Sequence, residues 1–338
     1  KTFFISGAGG SIGAEITRQL LSSNPLTIIL FELSEYNLFN IERECLAIKD
    51  SKNLDTEIIP ILGDIRDRKN LEHVFQKYSV DHVYHAAAYK HVPIVENENN
   101  ISKAAENNIL GTYNLANSAV KHGVHSFVMI STDKAVRPTN IMGATKRFAE
   151  IIIQSINSEA SNTKFSMVRF GNVINSSGSV IPLFIDQISR GGPITVTHKD
   201  VMRYFMTIPE ASNLVLQAGE MSSGGEVFIL DMGEQVKIFD LARKLIHLSG
   251  RNHADGDEVD GIEIVEVGLR PGEKMYEELL ISGSELKTEN PKIYKATESF
   301  IEPKILKPIL AELKESIVSF DNKKILTLLS QHVEGFNR

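Results

Sequence analysis

The sequence predicts an α/β protein built on a doubly wound parallel β-sheet, with a smaller lobe towards the C-terminus. Over residues 1–170, short apolar runs typical of buried strands alternate with helical patterns. A glycine-rich turn follows the first of these runs. Beyond residue 170, shorter elements are separated by stretches rich in glycine and serine. We therefore predict a first domain over residues 1–170 and a smaller lobe over residues 171–338, whose elements can interleave.

The composition narrows the class of protein. The chain has 338 residues, of which 42% are hydrophobic and 23% charged, so a large core is available. Its net charge of −7 argues against a general surface for nucleic acid or anionic membranes. The single cysteine excludes an internal disulfide and a cysteine-based metal cluster. No apolar run approaches the ~18 residues that span a bilayer. From these observations together, we expect no nucleic-acid partner, no metal site and no membrane contact by this segment.

Six apolar runs account for the strands of the first domain. Each is short and bounded by turn-forming residues. They cover residues 2–6, 27–31, 57–62, 81–85, 126–130 and 164–170. Amphipathic patterns predict helices over residues 14–21 and 107–120 and, near the C-terminus, over residues 303–320 and 322–332.

Glycines 7, 10 and 13 lie between the first strand and the first helix. Such a turn must be tight, must let the backbone approach a pyrophosphate, and must aim the amides of a helix N-terminus at it. A second strand follows the helix and completes a βαβ unit, which is the context that supports a dinucleotide site. We predict that this site is formed by Gly7, Gly10, Ser11, Ile12 and Gly13.

Glu32 follows directly on that second strand. A carboxylate there hydrogen-bonds the free ribose 2′-hydroxyl of NAD and repels the 2′-phosphate of NADP. NAD is therefore the predicted cofactor, although a lysine or arginine from elsewhere in the fold could reverse this preference.

Two later strand ends offer further contacts to the cofactor. Asp64 and Ile65 follow the third strand, where Asp64 can meet the adenine edge. The alternative is that Asp64 or Asp67 only caps the next helix. Ala86 and Ala87 follow the fourth strand, and their small side chains let the backbone lie close to a flat ligand.

Chemically active side chains follow the fifth strand, where Thr132, Asp133 and Lys134 come in succession. Lys146 lies on the helix predicted to follow. An acid and a base at a strand end lie where open α/β sheets bind ligands. A solvated turn is the alternative for such residues alone, and the nucleotide-binding turn favours the catalytic interpretation.

Three basic side chains could bind an anionic substrate. Lys90 follows the fourth strand, and Arg203 and Arg270 lie near turn-forming residues of the smaller lobe. Either arginine can pair with a phosphate in bidentate fashion. For each residue taken alone, a solvated lysine or a surface ion pair is the alternative.

Seven stretches, taken together and in this order, resemble the extended short-chain dehydrogenase/reductase superfamily, which has a Rossmann-type fold. Within that superfamily, the chain is similar to the bacterial UDP-N-acetylglucosamine 4,6-dehydratases of capsule, O-antigen and protein-glycosylation pathways. The matching stretches are residues 7–13, 63–67, 85–93, 131–147, 169–173, 203–207 and 269–274.

The resemblance implies that UDP-N-acetylglucosamine is converted to its 4-keto-6-deoxy derivative, with NAD used and regenerated. Hydride leaves C4, a base removes the C5 proton, an acid assists loss of the C6 hydroxyl as water, and hydride returns to C6. The matching motifs add Asn172 and Glu273 to the residues expected to bind substrate. The family also suggests a homo-oligomer.

One position departs from the superfamily. A tyrosine usually lies four residues before the helical lysine, whereas here Met142 precedes Lys146. A thioether has no proton to exchange. Such a methionine is similar to that of the long, membrane-anchored branch of these dehydratases, whose products retain the configuration at C5. The resemblance therefore implies a catalytic part on the cytoplasmic face of the bacterial inner membrane, anchored by a region that precedes Lys1.

The resemblance also suggests roles for the residues after the fifth strand. Lys134 would be the neutral base at C5, with a lowered pKa, and Asp133 the protonated acid at O6, states that burial favours. A charged pair between them opposes these states, so the proton can be shared. Lys146 would hold the nicotinamide ribose, and Met142 would pack against the sugar or the nicotinamide. The group that deprotonates O4 is open between Thr132 as a relay and Asp133, directly or through water.

Two other functions stay open. A UDP-hexose 4-epimerase would share the fold, the cofactor and the class of substrate, but it needs no acid–base pair for elimination and normally uses the tyrosine that is absent here. A non-catalytic NAD-sensing protein would have no chemical need for Asp133 and Lys134.

Overall fold

Strands and helices alternate through the first half of the chain, as predicted. A computed structural model describes residues 1–160, 162–254, 261–279 and 285–337. The predicted helix over residues 107–120 is the last part of a longer helical stretch, in which a π-helical turn at Glu106–Gly111 precedes the helix from Thr112. The elements of this half are β1 (Thr2–Ser6), α1 (Ser11–Leu21), β2 (Thr27–Glu32), α2 (Glu35–Lys52), β3 (Glu57–Leu62), α3 (Arg68–Lys77), β4 (His82–His85), α4 (Val92–Val95), α5 (Ile101–Ala105), α6 (Thr112–Lys121), β5 (Ser126–Ile130), α7 (Ile141–Glu159) and β6 (Lys164–Arg169).

Shorter strands are typical of the second half. The two predicted C-terminal helices are present there, the first ending two residues earlier than expected. None of the helices in the described ranges combines the length and the apolar character needed to cross a bilayer. The elements are β7 (Asn172–Val173), α8 (Val180–Ser189), β8 (Ile194–Val196), β9 (Met202–Arg203), β10 (Phe205–Met206), α9 (Ile208–Met221), β11 (Val227–Leu230), β12 (Val236–Lys237), α10 (Ile238–Leu248), β13 (Asn252–His253), β14 (Gly261–Ile262), β15 (Ile264–Glu266), β16 (Leu286–Lys287), β17 (Ile293–Ala296), α11 (Pro303–Val318) and α12 (Asn322–His332).

The main sheet of the described residues has nine strands in the order β16-β17-β11-β6-β5-β4-β1-β2-β3. The strands from β11 to β3 run parallel, whereas β17 and β16 extend the edge in antiparallel pairs. The strand order reverses at β1, which pairs with β2 on one side and with β4 on the other. The predicted doubly wound sheet is therefore confirmed, and its reversal point is where such sheets bind ligands.

The central strands are buried on both faces, which explains their continuous apolar sequences. Phe3 and Ile5 of β1 share a cluster with side chains of α1, α2 and α9. Phe4, between them, shares the opposite cluster with side chains of α3, α6 and α7. Because successive strand residues point to opposite faces, β1 joins both helical layers. The edge strand β3 is less buried and tolerates Pro60.

Helix α7 is buried between the sheet and the two C-terminal helices. Its Phe148 and Ile152 pack in one cluster with Leu313 of α11 and Leu329 of α12. Because α7 also carries Met142 and Lys146, the C-terminal helices fix the position of a helix that bears candidate site residues.

A separate apolar cluster holds the smaller lobe together, and it includes Phe184 of α8, Val196 of β8 and Ile246 of α10. Three strands that also lie beyond residue 170, β11, β16 and β17, instead join the main sheet. The two parts of the chain therefore interleave, and the boundary at residue 170 stays a prediction.

Candidate active site

Two adjoining cavities open at the carboxyl ends of the parallel strands. The larger has a volume of about 900 Å³, and the smaller about 180 Å³. Of the predicted site residues, the larger is lined by Gly10, Ser11, Ile12, Gly13, Ala86, Lys90, Thr132, Lys134, Met142, Lys146, Asn172, Arg203, Arg270 and Glu273. The smaller is lined by Gly7, Gly10, Glu32, Asp64, Ile65, Ala86 and Ala87.

The turn between β1 and α1 requires glycine at two positions. Gly7 has a φ of +67°, and a Cβ there would lie 2.8 Å from Cα of Ala87. At Gly13, a Cβ would lie 2.1 Å from the carbonyl oxygen of Gly7. Helix α1 begins at Ser11, and its N-cap Gly10 supplies no side-chain hydrogen bond to the helix amides. The turn thus presents bare backbone and a helix N-terminus, as an anionic pyrophosphate requires.

The Glu32 carboxylate is held against this turn at the end of β2. Its Oε2 accepts a hydrogen bond from the backbone N–H of Gly9 at 3.0 Å, and its Oε1 accepts one from that of Ser34 at 3.0 Å. These two bonds fix the carboxylate beside the smaller cavity.

The two aspartates after β3 have different roles. Asp67 caps α3 by accepting hydrogen bonds from the backbone N–H groups of Lys69 and Asn70. Asp64 lines the smaller cavity and accepts a hydrogen bond from Nε of Arg66 at 2.8 Å. Burial raises the pKa of Asp64, but the hydrogen bonds from Arg66 outweigh burial and leave this pKa below its ordinary value. Asp64 is therefore a charged wall of the cavity and not the helix cap.

Lys134 reaches the larger cavity from a 3₁₀ turn at Asp133–Ala135, directly after β5. Its Nζ lies 3.0 Å from Oδ1 of Asp133, 3.4 Å from Oδ1 of Asn172 and 3.6 Å from Oε1 of Glu277. The side chain is 18% exposed. Three oxygens therefore surround an amine that still lines the cavity.

The expected lowering of the Lys134 pKa is wrong for this arrangement. Burial lowers the pKa of Lys134, but the negative charges of Asp133 and Glu277 outweigh burial, and the pKa lies above its ordinary value. The sequence pointed to one carboxylate beside the amine, whereas the fold supplies two. Lys134 is thus held as an ammonium, which must release a proton before it can act as a base.

Asp133 lies behind Lys134 and is fully buried. It does not line the larger cavity. Its Oδ1 accepts hydrogen bonds from Nζ of Lys134 and, at 2.9 Å, from Oγ1 of Thr132. Its Oδ2 is buried without a hydrogen-bond partner among the described residues. Because Thr132 lines the cavity and donates to Asp133, its hydroxyl connects Asp133 to the ligand space.

Met142 and Lys146 lie one turn apart on α7, and both line the larger cavity. Nζ of Lys146 donates a hydrogen bond to the carbonyl oxygen of Ile130 at 2.7 Å, and an ammonium has two further donors. Burial lowers the pKa of Lys146 to about 8. At Gly143, a Cβ would lie 2.2 Å from the carbonyl oxygen of Lys134, so this glycine lets α7 pack against the 3₁₀ turn at Asp133–Ala135.

An ion pair orders the residues of the smaller lobe that the sequence predicts to bind substrate. Arg203 donates a hydrogen bond from a terminal nitrogen to Oε1 of Glu273 at 2.9 Å. Glu273 also accepts hydrogen bonds from Oγ1 of Thr197 and from the backbone N–H of Arg270. The oxygens of Glu273 therefore hold its neighbours, and the smaller lobe contributes the positive charges of Arg203 and Arg270 to the cavity lining.

Sequence reasoning singled out Glu273 and residues 269–274, but it did not predict that this segment joins the smaller lobe to the 3₁₀ turn at Asp133–Ala135. We call residues 272–278 the clasp. Nζ of Lys274 donates a hydrogen bond to the carbonyl oxygen of Val136 at 2.8 Å, and Oγ1 of Thr139 donates one to that of Gly272 at 2.7 Å. The buried glutamate beside Lys134 belongs to the clasp, and the local sequence gave no periodic signal for its burial.

A buried ion pair that the sequence analysis did not predict lies near the 3₁₀ turn at Asp133–Ala135. Glu150 of α7 accepts hydrogen bonds from Oγ of Ser131 at 2.6 Å and from Nε of Arg169 at 2.8 Å. Burial raises the pKa of Glu150, but the charge of Arg169 outweighs burial and lowers this pKa to about 2. Arg169 also donates a hydrogen bond to Glu298 at 2.7 Å. Glu150 and Arg169 each lie next to apolar residues in the sequence, and two opposite charges in such surroundings were the signal that could have indicated this buried pair.

The sequence matches known proteins over most of its length. A profile of the family described as "Polysaccharide biosynthesis protein" matches residues 3–298. The capsular polysaccharide biosynthesis protein CapD of Staphylococcus aureus is 53% identical over 280 residues, which are 83% of this chain and 45% of CapD. The probable polysaccharide biosynthesis protein EpsC of Bacillus subtilis is 52% identical over 282 residues, again 83% of this chain and 45% of the relative. A UDP-glucose 4-epimerase of Rickettsia canadensis is 32% identical over 292 residues, 86% of this chain and 80% of the epimerase. The chain spans less than half the length of CapD and EpsC.

Solved structures share the fold. Pen from Bacillus thuringiensis superposes with a TM-score of 0.76 at 36% identity, covering 89% of this chain and 90% of Pen. DesIV from Streptomyces venezuelae, a dTDP-glucose 4,6-dehydratase solved with NAD and TYD bound, superposes with a TM-score of 0.67 at 22% identity, covering 82% of this chain and 89% of DesIV. At 22% identity, the likeness to DesIV concerns the fold alone.

Proposed function

Because this chain belongs to the family of polysaccharide biosynthesis proteins, we propose that it is a UDP-N-acetylglucosamine 4,6-dehydratase. The product is UDP-2-acetamido-2,6-dideoxy-4-keto-hexose with the C5 configuration retained, and NAD is regenerated within each turnover. The observation that carries the proposal is the Lys134 amine, which is hydrogen-bonded to Asp133 at 3.0 Å in a cavity that also receives Met142 and Lys146. The homo-oligomer and the membrane anchor stay predictions.

The glycine turn and the smaller cavity fit NAD. A Cβ at Gly7 would clash with the backbone of Ala87, and one at Gly13 with the carbonyl oxygen of Gly7, so only glycine allows the tight turn that a pyrophosphate site needs. The fixed carboxylate of Glu32 suits a free ribose 2′-hydroxyl. DesIV, which shares the fold, was solved with NAD. NAD, when bound, supplies the chemistry of hydride removal from C4 and hydride return to C6. Lys146 would hold the nicotinamide ribose through the donors that its bond to Ile130 leaves over.

Lys134 is the group proposed to remove the C5 proton. A ketone at C4 acidifies this hydrogen, and an amine that lines the cavity can receive it. The ammonium form must first pass its proton to a neighbouring carboxylate. The same amine then returns a proton to C5 from the face on which it was removed, which is consistent with retention of configuration.

Asp133 and Thr132 are proposed to carry the proton that moves from O4 to the departing O6. The Thr132 hydroxyl lines the cavity and donates to Asp133 at 2.9 Å. The O4 proton can therefore pass through Thr132 to the carboxylate, and the carboxylic acid so formed can protonate O6 by the same route. The water that leaves then contains the O6 hydroxyl and the former O4 proton, and Asp133 ends each turnover ionised.

Three cations of the larger cavity suit the diphosphate of a nucleotide sugar. Arg203 and Arg270 line its smaller-lobe side, and Lys90 lines it from the loop after β4. Arginine recognises phosphate oxygens in a bidentate manner. The cavity volume of about 900 Å³ lies at the upper end of the roughly 300–1,000 Å³ of common ligand sites, which leaves room for a nucleotide sugar beside a nicotinamide.

Mass spectrometry tests this function directly. Incubation with UDP-N-acetylglucosamine and NAD should give a product lighter by one water, and Lys134→Ala should lower its rate by about a thousandfold or more while NAD still binds. Lys121→Ala removes an exposed lysine that pairs with Glu72 and should act like the wild type. A product of unchanged mass would indicate a 4-epimerase, in line with the Rickettsia relative. Bound NAD without consumption of a UDP-sugar would indicate a sensor.

A further inference from the structure

A buried glutamate of the clasp, Glu277, lies close to the amine of Lys134. Oε1 of Glu277 lies 3.6 Å from Nζ of Lys134, and the Glu277 side chain is 4% exposed. Its Oε2 is buried and has no hydrogen-bond partner within the described part of the chain. Glu277 does not line the larger cavity. Within the described ranges, the Lys134 amine is therefore placed to exchange a proton with this carboxylate, which is not part of the cavity lining.

The proposed dehydration requires two protons to be stored at once. The first leaves O4 when the ketone forms, and it must be kept until O6 departs. The second is the extra proton of the Lys134 ammonium, which must leave before the amine can take the C5 proton. Asp133 can hold only one of them, and its hydrogen bond to Thr132 connects it to the first. A second carboxylate is therefore needed for the second proton.

We propose that Glu277 is a positioning residue that acts through Lys134 by taking its proton before elimination and returning it at the end of the turnover. This inference rests on the proposed dehydratase function. As the O4 proton passes to Asp133, a proton moves from Nζ of Lys134 to Oε1 of Glu277. Lys134 then takes the C5 proton, and Asp133 gives its proton to the leaving O6 hydroxyl as the C6–O6 bond breaks.

The remaining steps restore every group. Hydride returns to C6, and Lys134 gives its proton back to C5. Glu277 then returns the stored proton to Lys134, so the side chains end as an ammonium and two carboxylates. The sugar has lost one water, and no outside oxidant, reductant or base is used.

The other polar groups around Lys134 either have hydrogen-bond partners already or are not basic. Asp133 accepts from both Thr132 and Lys134. Asn172 offers an amide oxygen at 3.4 Å, which is not basic. Arg203 places its Nε 3.9 Å from Oε1 of Glu277, but its terminal nitrogen is engaged by Glu273.

The clasp fixes Glu277 at this place. Its backbone carbonyl accepts a hydrogen bond from Nε2 of Gln235 at 2.8 Å, and Lys274 ties the same segment to the carbonyl oxygen of Val136. A shift of a few tenths of an ångström would bring Glu277 and Lys134 within hydrogen-bond distance.

The test compares Glu277→Gln with Glu278→Gln. Both changes remove one glutamate charge from the clasp, but Glu278 is exposed and lies near Arg137, away from the cavity. We expect E277Q to lower kcat by about a hundredfold or more with little change in KM, because it removes a proton acceptor and not a substrate contact. E278Q should retain the wild-type kcat. Glu277→Asp, which keeps the carboxylate, should recover much of the loss.

A second readout separates proton storage from a structural role. Labelling of Lys134 with an amine-directed acylating reagent is followed by mass spectrometry between pH 6 and 10 on the NAD-bound enzyme. E277Q should show more labelling of Lys134 than the wild type at a given pH, because one of two carboxylates that hold the ammonium is gone. Faster labelling combined with slower turnover is the signature expected of a lost proton acceptor.

Several outcomes would overturn the inference. E277Q with the wild-type kcat would do so, and so would E277Q and E277D variants that have equal activity and equal melting temperature. A pH profile of kcat for E277Q that only moves to lower pH, without a loss at its maximum, would also overturn it. Unchanged labelling of Lys134 in E277Q would also overturn it, and this measurement needs no substrate. A wild type that leaves UDP-N-acetylglucosamine intact would instead refute the proposed function, and the labelling alone would then decide whether Glu277 and Lys134 are coupled.

Discussion

Met142 lies on the first turn of α7 and is almost fully buried. The superfamily that the sequence resembles usually has a tyrosine at this position. The Met142 thioether can pack against a ligand but cannot exchange a proton. We therefore expect Met142→Leu, which has a similar volume, to change kcat by less than about tenfold and stability by less than about 1.5 kcal/mol. Steady-state kinetics and thermal unfolding measure both effects. A loss of a thousandfold, roughly 4 kcal/mol at ~1.4 kcal/mol per decade, would mean that the sulfur has a catalytic role.

Lys146 links the stability of the fold to pH. Burial lowers its pKa to about 8 from the ordinary 10.5. Below pH 8 the amine is charged in both the folded and the unfolded chain, so folding carries the full cost of burying the charge. As the pH rises from 8 to 10.5, the folded chain loses this proton first, and the cost disappears.

Relative to Lys146→Met, the wild type should therefore gain about 3 kcal/mol of unfolding free energy between pH 7 and pH 10.5. Urea unfolding of both proteins over this range measures the difference, and other titrating groups cancel in the comparison. Parallel curves for the two proteins would show that Lys146 does not have a lowered pKa.

For individual residues, the sequence predicted well which side chains reach the ligand space. It predicted their protonation states less well. Thr132, Lys134 and Lys146 line the larger cavity because they follow a strand or lie on the next helix, which are local properties. The charge on Lys134 depends on Glu277, which reaches it through a distant segment with no local signal. Pairings of this kind are set by the fold and not by neighbouring residues.

Among the elements, the turn between β1 and α1 is the most restrictive. A Cβ at Gly13 would lie 2.1 Å from the carbonyl oxygen of Gly7, so Gly13→Ala must open the turn. We expect the Kd for NAD to rise by about tenfold or more, which corresponds to ~1.4 kcal/mol or more. Isothermal titration calorimetry with NAD measures this effect.

Gly123→Ala is the matched control, because nothing lies within 4 Å of the added methyl group. Its φ of +70° makes alanine cost roughly 1–2 kcal/mol of stability. NAD affinity should nevertheless stay unchanged. An unaltered Kd in Gly13→Ala would show that the turn does not carry the pyrophosphate.

The longer elements followed from the sequence, and the shorter ones did not. The six predicted strands of the first half agree with β1 to β6 within a residue at each end, because continuous apolar runs mark strands buried on both faces. The strands of the smaller lobe have two or three residues, too few for a periodic pattern. The π-helical turn before α6 was also missed, since helical periodicity does not distinguish it from an α-helix.

For the molecule as a whole, the sequence predicted the class of fold, but not that later parts of the chain come back to pack on the first domain. Strand β11 joins the main sheet beside β6, and α11 and α12 pack on α7, a helix that lies far from them in sequence. An amphipathic pattern shows that a helix has a buried face, but not which surface covers it. As a result, the helix that bears Lys146 is supported by the last elements of the chain.

The central claim is that one site removes and replaces a proton at C5 while hydride passes internally from C4 to C6. The most direct measurement is turnover of UDP-N-acetylglucosamine in heavy water, with the product examined by NMR and mass spectrometry and the reduced cofactor followed by absorbance. We expect one deuterium at C5, none from solvent at C6, and no accumulation of reduced cofactor. A product without deuterium at C5, or reduced cofactor that increases in step with product, would contradict the claim.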